Sequence, residues 1–146
     1  MDENRSIMIG SDHAAFELKE KIKTYLSGKG YQVEDVGAKG TASVNYTEYG
    51  KKVSRSVSQG KVPRGILLCG TGLGMSMVAN RFPHVRAALC CDIFSARMSR
   101  LHNDSNILVL GGRVIGDVLA FEVVQAWLDT EFEGGRHLDR IKSIEA

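Results

Sequence analysis

Apolar residues follow two periods along the chain, and the two periods alternate. Short runs that are apolar, or that alternate apolar with polar residues, are typical of β-strands. Longer stretches in which apolar residues recur three or four positions apart are typical of amphipathic helices. The pattern predicts strands at residues 6–9, 31–36, 65–69, 85–90 and 106–110. It predicts helices at residues 14–26, 46–57, 75–81, 93–101, 117–130 and 136–145.

Strands that alternate with helices indicate a parallel sheet with helices on both faces. We therefore expect a single domain over residues 1–146, a three-layer α/β/α Rossmann-like domain with a five-stranded parallel sheet and a C-terminal helix. The second strand alternates polar with apolar residues, so we expect it at a sheet edge. Ligands bind such sheets beyond the carboxyl ends of the strands, near the point where the strand order reverses. Side chains at these ends are therefore the candidates for chemistry.

Some residues near the predicted helix starts have a structural explanation. Asp12 is placed to cap the first helix, and Asn45 followed by Glu48 resembles the capping box of the second. On the fourth helix, Phe94 is expected to face inward. The fifth helix is apolar almost all round, so the pattern predicts that it is well covered.

Composition excludes several classes of protein. Of the 146 residues, 25% are charged and 43% hydrophobic, a balance typical of soluble globular domains. The net charge of +2 is spread along the chain, which argues against a nucleic-acid partner. No stretch is apolar enough for a membrane span, and residues 1–5 do not resemble a secretory signal. Three cysteines, with Cys90 and Cys91 adjacent, do not make a disulfide framework, so we expect a cytoplasmic protein.

The third strand ends in a thiol and a glycine-rich turn. Cys69 is followed by Gly70, Thr71, Gly72, Leu73 and Gly74, and then by a predicted helix. Glycine allows backbone N–H groups to approach a ligand closely, and a helix N-terminus adds partial positive charge, so this turn is a candidate anion site. The same field should favour a thiolate, which makes Cys69 a candidate nucleophile or base. An inert buried thiol is the alternative.

Other polar residues follow the same logic. Asp12, His13, His102, Asn103 and Arg113 end strands or the helix that leads to the last strand, and we expect them on one side of the molecule. A further pair, Arg136 and Arg140, is spaced to project from one face of the last helix and to bind a phosphate. A solvated basic face is the alternative for this pair.

Cofactor signatures are absent from the sequence. The dinucleotide pattern G-x-G-x-x-G fails because Met75 and Met77 stand where its third glycine is required. No G-K-[ST] phosphate loop is present, and the adjacent Cys90 and Cys91 are too close for a C-x₂-C metal site.

Five blocks in the chain resemble one family, the type B ribose-5-phosphate isomerases and their relatives that act on galactose and allose phosphates. The blocks lie in the same order as in the family and span nearly the whole chain. They are GSDHAA at 10–15, CGTGLG at 69–74, ANR at 79–81, RMSRLHNDSN at 97–106 and EGGRH at 133–137.

The resemblance implies a cofactor-free and metal-free aldose–ketose isomerase that interconverts D-ribose 5-phosphate and D-ribulose 5-phosphate through an enediolate. It implies that Cys69 is the base and that His102, with Asp12, assists ring opening, while Thr71 orients it. The backbone of residues 70–74 and the amide of Asn103 would hold the enediolate oxygen.

The resemblance also implies how the substrate is held. His13, Arg113, Arg136 and Arg140 would bind the phosphate, and Tyr46 is retained from the family's substrate-binding loop. Family members are homodimers or dimers of dimers whose active sites borrow residues from the neighbour, so His102, Asn103 and the arginine helix would face the Cys69 of a second subunit. The sugar phosphate and the second subunit are the only partners implied.

Two departures from the family pattern and two alternative functions remain. Some members place a glutamate base where this chain has Met75, which favours Cys69 as the base here. The usual Asp-Tyr-Pro after the second strand is Asn45-Tyr46-Thr47, without the carboxylate.

Two alternative functions stay open beside the ribose 5-phosphate isomerase. They are an isomerase of a hexose 6-phosphate, such as allose or galactose 6-phosphate, and a non-catalytic module that binds a sugar phosphate or nucleotide.

Overall fold

Five strands and six helices alternate in the computed structural model, which describes residues 3–146. The strands are β1 Ser6–Ser11, β2 Gln32–Asp35, β3 Arg64–Cys69, β4 Ala87–Leu89 and β5 Ile107–Gly111. The helices are α1 Phe16–Gly28, α2 Tyr46–Ser58, α3 Leu73–Ala79, α4 Ile93–Leu101, α5 Asp117–Asp129 and α6 Arg136–Glu145. The predicted order of elements is confirmed, and the boundaries differ by a few residues.

The strands form one parallel sheet in the order β2-β1-β3-β5-β4. The chain proceeds from β1 to β2 on one side and then crosses to β3 on the other side of β1. The strand order therefore reverses between β1 and β3, and a crevice opens where these two neighbours end. β1 ends at Ser11 and β3 ends at Cys69, so both segments singled out in the sequence flank this crevice.

Alternating strand residues supply two separate apolar layers. Ile66 and Leu68 pack with α1, α4 and α5 on one face of the sheet. Leu67 and Cys69 pack with α2 and α3 on the other face. Helices on both faces of a parallel sheet make the predicted three-layer α/β/α domain, which is confirmed. None of the helices in the described part of the chain is long and apolar enough to cross a membrane.

Two helix starts differ from the prediction. α1 begins at Phe16, and its N-cap residue Ala15 offers no side-chain hydrogen bond. Asp12 instead caps the preceding turn, because its Oδ1 accepts from the backbone N–H of Ala15 at 3.2 Å. α3 begins at Leu73 rather than at Met75, since Gly72 adopts φ +82° and turns the chain directly into the helix.

The exposed side chains of α4 and α5 correct two further predictions. Phe94 does not face inward and is 66% exposed. The buried face of α4 consists of Ala96, Ser99 and Arg100, and the Arg100 guanidinium binds the backbone carbonyls of Thr130 and Ser105. On α5, Val118 is 70% exposed, so that helix is not covered on all sides in a single chain.

A fully buried lysine joins α1 to the end of β2. Lys19 Nζ lies 2.6 Å from Asp35 Oδ2 and donates to the carbonyl of Ala38 at 2.7 Å. Lys23 Nζ approaches the same Asp35 oxygen at 2.7 Å. Burial raises the pKa of Asp35, but the hydrogen bonds from the two lysines outweigh it and hold this pKa below its ordinary value.

Removing this carboxylate is expected to destabilise the fold. We expect Asp35→Asn to lower the free energy of unfolding at pH 7 by about 3 kcal/mol, because the buried Lys19 ammonium loses its closest carboxylate and keeps only the more exposed Glu20, 3.4 Å away. A carboxylate whose pKa is lowered on folding stabilises above its unfolded pKa, and this contribution is lost as the pH falls through the folded value. The gap between wild type and variant should therefore narrow below about pH 4 in urea unfolding experiments.

A matched control lies on the same strand. Glu34 is exposed, so Glu34→Gln removes one carboxylate without disturbing the interior and should change stability little. Equal unfolding free energies for Asp35→Asn and Glu34→Gln would contradict the role assigned to the buried pair.

Candidate active site

The thiol lies at the mouth of the crevice between β1 and β3. Cys69 is 5% exposed, and its Sγ accepts the backbone N–H of Gly72 at 3.2 Å. The segments after β3 and β5 remain paired, since Gly112 N–H donates to the carbonyl of Cys69 and Arg113 N–H to that of Gly70. The thiol therefore sits in a backbone frame with an N–H group aimed at its sulfur.

The glycines of the turn allow close packing around the thiol. A Cβ on Gly74 would lie 2.6 Å from ring atoms of Tyr46, so this glycine permits the tyrosine to rest on the turn. A Cβ on Gly72 would collide with Leu89, and φ +82° disfavours any other residue there. Thr71 Oγ1 accepts from the backbone N–H of Leu73 at 3.2 Å, which leaves the hydroxyl hydrogen available.

Three polar side chains surround this turn. His13 Nδ1 accepts the backbone N–H of Val44 at 3.1 Å, so the neutral ring carries its proton on Nε2 and presents a donor there. The Arg113 guanidinium lies 3.6 Å from the position of a Cβ on Gly70. Asp12 is buried, and its backbone N–H donates to the carbonyl of Leu68 in β3. We call Asp12, His13, Tyr46, Arg113 and residues 69–74 the thiol half-site.

A second group of predicted site residues forms where α4 ends and α6 begins. The rings of His102 and His137 stack with centroids 4.4 Å apart and planes 17° from parallel. The two segments are joined by the backbone, because Glu133 N–H donates to the carbonyl of Leu101. We call His102, Asn103, Arg136 and Arg140 the imidazole half-site.

The two half-sites lie at opposite ends of the sheet. α4 runs back along the sheet, so His102 and Asn103 follow its last turn at the amino ends of the strands. Three residues after Asn103, the carbonyl of Asn106 accepts from the backbone N–H of Gly65 near the start of β3, whereas Cys69 ends that strand. The four steps from Gly65 to Cys69 cover about 13 Å. The expectation that all these groups lie on one side of one chain is therefore wrong.

Comparison with known proteins identifies the family. A family model described as "Ribose/Galactose Isomerase" matches residues 7–144. This chain belongs to that family. Ribose-5-phosphate isomerase B of Escherichia coli K12 is 43% identical over 142 residues, which are 97% of this chain and 95% of the relative. A protein of Pectobacterium atrosepticum named D-erythrulose-4-phosphate isomerase is 44% identical over 140 residues, 95% of this chain and 92% of that protein.

Solved structures of family members have the same fold. A ribose 5-phosphate isomerase from Thermotoga maritima superposes with a TM-score of 0.94 at 56% identity and covers 96% of this chain and 97% of its own. Ribose-5-phosphate isomerase B of Clostridium thermocellum gives a TM-score of 0.94 at 50% identity, with coverages of 96% and 95%. The resemblance described from the sequence is thus confirmed, and the chain is a sugar-phosphate isomerase of the ribose/galactose isomerase family.

One feature of this family member was not predicted from its sequence. Glu133 and His137 lie next to His102, and the potential ligand atoms of these three side chains all lie within 4.8 Å of one another. The available signal was a glutamate and a histidine close together in the EGGRH block at 133–137, just before and at the start of the last helix. The contribution of His102 depends on the contact between α4 and α6, which the sequence does not reveal.

Burial and charge act together on the imidazole of His137. Burial lowers the pKa of His137, the imidazole of His102 lowers it further, Glu133 raises it, and Arg136 and Arg140 lower it again. The net shift is downward, which keeps this imidazole neutral at neutral pH.

The remaining thiols have no assigned role in this family member. All three cysteines are free, Cys90 is buried and Cys91 is exposed. Burial raises the pKa of Cys90 to about 11, the contact with Ser99 lowers it, and Asp92 and Cys91 raise it further. Cys90 is therefore a thiol in the core at neutral pH.

Proposed function

We propose that the protein interconverts D-ribose 5-phosphate and D-ribulose 5-phosphate by cofactor-free proton transfer, with Cys69 as the base. The observation that carries this proposal is the Gly72 N–H directed at Cys69 Sγ, at the carboxyl ends of the strands where ligands bind such folds. Relatives named as ribose-5-phosphate isomerases over nearly the whole chain support the substrate. The three free thiols support a reducing, cytoplasmic setting. The proposed substrate and product are what would place the enzyme in pentose phosphate metabolism.

The isomerisation begins once the sugar is in its open-chain form. The Cys69 thiolate removes the proton from carbon 2 of the aldose, and the electron pair moves through the carbon 1–carbon 2 bond onto the aldehyde oxygen. The resulting enediolate takes the proton back at carbon 1, and a hydroxyl proton moves from oxygen 2 to oxygen 1, which gives the ketose. A positioned general base of this kind contributes about 10²–10⁴ in rate.

The backbone N–H groups of the turn have two different roles in this scheme. The N–H groups of Gly72 and Leu73 already bind Cys69 Sγ and Thr71 Oγ1. We therefore assign the enediolate oxygen to the N–H groups of residues 70, 71 and 74, together with the side-chain amide of Asn103. Donors aimed at a developing oxyanion are worth about 3 kcal/mol each.

Ring opening precedes this step and uses the other side chains. His102 donates a proton to the ring oxygen, while the Asp12 carboxylate accepts the proton of the anomeric hydroxyl. The Thr71 hydroxyl orients the sugar between them. For the phosphate, His13 and Arg113 from the thiol half-site and Arg136 and Arg140 from the imidazole half-site supply donors, and planar guanidinium groups suit its oxygen geometry.

These roles require two copies of the chain. The half-sites of one chain lie at opposite ends of β3, so His102 cannot reach the sugar held at Cys69 of the same chain. A two-fold homodimer that places the imidazole half-site of one copy over the thiol half-site of the other completes two identical sites, whether alone or within a dimer of dimers.

Exposed apolar side chains support this assembly. They share the end of the sheet that carries the thiol half-site, in the loop after β5 or in the first turns of α3, α4 and α5. They are Leu73, Phe94, Val114 and Val118, each more than half exposed in a single chain. Apolar surface gathered in this way is typical of a protein interface.

Turnover by the purified protein tests the proposal. The protein is incubated separately with ribose 5-phosphate, allose 6-phosphate and galactose 6-phosphate, where ketose formation is followed, and with the ketose D-erythrulose 4-phosphate, where aldose formation is followed. We expect the highest kcat/KM with ribose 5-phosphate. A higher kcat/KM with erythrulose 4-phosphate, which appears in the name of the Pectobacterium relative, would show that the tetrose phosphate and not the pentose phosphate is the substrate. Binding of a sugar phosphate or nucleotide without turnover of any of the four would indicate the non-catalytic module.

A further inference from the structure

Two imidazoles and a carboxylate meet beside the arginines of α6. His137 Nε2 lies 3.8 Å from Glu133 Oε1, and one nitrogen of His102 lies within 4.8 Å of both. Two histidines and one acidic residue are a ligand set that proteins use for Zn²⁺ and related transition-metal ions. None of the steps proposed above uses Glu133 or His137.

An independent observation points to a ligand at this place. His137 is 5% exposed, and its Nε2 is buried without a hydrogen-bond partner. Leaving a buried polar nitrogen unpaired is unfavourable, and most such groups in proteins are satisfied by a side chain, a water or an ion. An ion centred between the three side chains would give this nitrogen its partner.

We propose that His102, Glu133 and His137 bind a transition-metal dication such as Zn²⁺. Imidazole nitrogens are common ligands of such ions, and the buried Nε2 of His137 is the nitrogen that lacks a partner. Three protein ligands leave the fourth tetrahedral position open for water or a phosphate oxygen. The guanidinium groups of Arg136 and Arg140 oppose a dication, and the Glu133 carboxylate offsets part of their charge, so the affinity should be moderate rather than that of a structural zinc site.

Metal binding requires a defined movement. Ligand atoms about 2.0–2.2 Å from a tetrahedral Zn²⁺ lie about 3.4 Å from one another, so the 3.8 Å separation of His137 and Glu133 must contract by about 0.4 Å and the separations from His102 by up to about 1.4 Å. The stacked rings also hold their lone pairs in two nearly parallel planes, which do not meet at one ion. His137 is held by burial, whereas His102 is partly exposed and can turn about its side-chain torsions to direct its lone pair at the ion.

Occupation of the site has a consequence that rests on the proposed function. A metal-bound His102 has no free nitrogen lone pair to take up a proton and no longer faces the ring oxygen of the sugar. Zn²⁺ should therefore inhibit isomerisation reversibly, and a chelator should restore it.

Calorimetric titration of the full-length protein with Zn²⁺ tests the site directly. All variants carry Cys91→Ser so that the exposed thiol does not bind the metal. We expect one Zn²⁺ per chain, and an affinity at least ten times weaker in His137→Phe and in Glu133→Gln. The phenylalanine keeps a ring stacked on His102, so folding and metal-free turnover should be retained. Mg²⁺, which prefers oxygen ligands, should show no heat of binding.

His84 provides the matched control. It also lies beside a glutamate, with Nδ1 3.7 Å from Glu145 Oε2, and it adopts a positive φ that asparagine tolerates. His84→Asn should therefore leave the Zn²⁺ affinity unchanged. With Co²⁺ in place of Zn²⁺, visible bands without a thiolate charge-transfer band should report nitrogen and oxygen ligands.

Three results would overturn the inference. These are wild-type affinity in His137→Phe, loss of affinity in His84→Asn, and a thiolate band in the Co²⁺ spectrum. Inhibition is measured separately, and Zn²⁺ binding without inhibition would overturn the inhibitory consequence alone. If the wild type turns over no sugar phosphate, the proposed function fails, whereas the calorimetric comparison still decides the metal site.

Discussion

Replacing Cys69 by alanine is expected to lower kcat for ribose 5-phosphate by about 10²–10⁴-fold and to leave KM nearly unchanged. The thiolate acts on carbon 2 and does not hold the phosphate, so its loss should affect the chemical step rather than substrate binding. Steady-state ketose formation gives both constants. Circular dichroism and the melting temperature establish whether the variant is folded.

The neighbouring cysteines make this test specific. Cys91→Ser removes an exposed thiol without an assigned role and should retain wild-type turnover. Cys69→Ser should resemble the alanine variant, because a hydroxyl ionises far less readily than a thiol near neutral pH. Turnover by Cys69→Ala within a few-fold of the wild type would exclude Cys69 as the proton carrier.

Mixing two inactive variants is expected to restore activity. Cys69→Ala damages the thiol half-site and His102→Asn the imidazole half-site, so homodimers of either variant have two defective sites. A mixed dimer has one site with both defects and one with neither. Random exchange of subunits makes half of the dimers mixed, so the mixture should regain about a quarter of the wild-type activity.

The same experiment contains its own control. Mixing Cys69→Ala with the double variant Cys69→Ala/His102→Asn creates no intact site, so this mixture should remain inactive. Subunits are exchanged by unfolding and refolding the mixed proteins together. Should the first mixture remain as inactive as its components while dimers form, each active site would have to lie within one chain.

Most of the fold was predictable because its signals are local. Short apolar runs separated by amphipathic stretches identified all five strands and the helices between them, and Gly70 to Gly74 indicated the turn after β3. The predicted helix boundaries were wrong where the backbone conformation, rather than the pattern of apolar side chains, determines where a helix begins. α3 begins early because Gly72 turns the chain, and Asp12 was assigned to a helix that starts four residues later.

The site was less predictable because it depends on contacts between distant segments. Cys69, His102 and the arginines were named from the sequence, but their division between two subunits was implied only by the family resemblance, and Glu133 and His137 were not singled out. α4 runs back along the sheet and so separates His102 from Cys69. The sequence prediction considered the ends of the strands and did not take the direction of this helix into account. Phe94 was expected in the core because it is apolar, whereas its exposure in one chain agrees with burial by a second. The contact of Glu133 and His137 with His102 arises only when α6 folds back on α4.

The separation of the half-sites also has a consequence for a newly synthesised chain that has not yet dimerised. On the proposed roles, a single chain holds the proton acceptor and the proton donor at opposite ends of the sheet, so it is catalytically silent until it meets a second copy. The surface that recognises the neighbour and the surface that recognises the sugar are then partly the same. Substitutions that adjust one of them act on the other as well, and selection on turnover is at the same time selection on assembly.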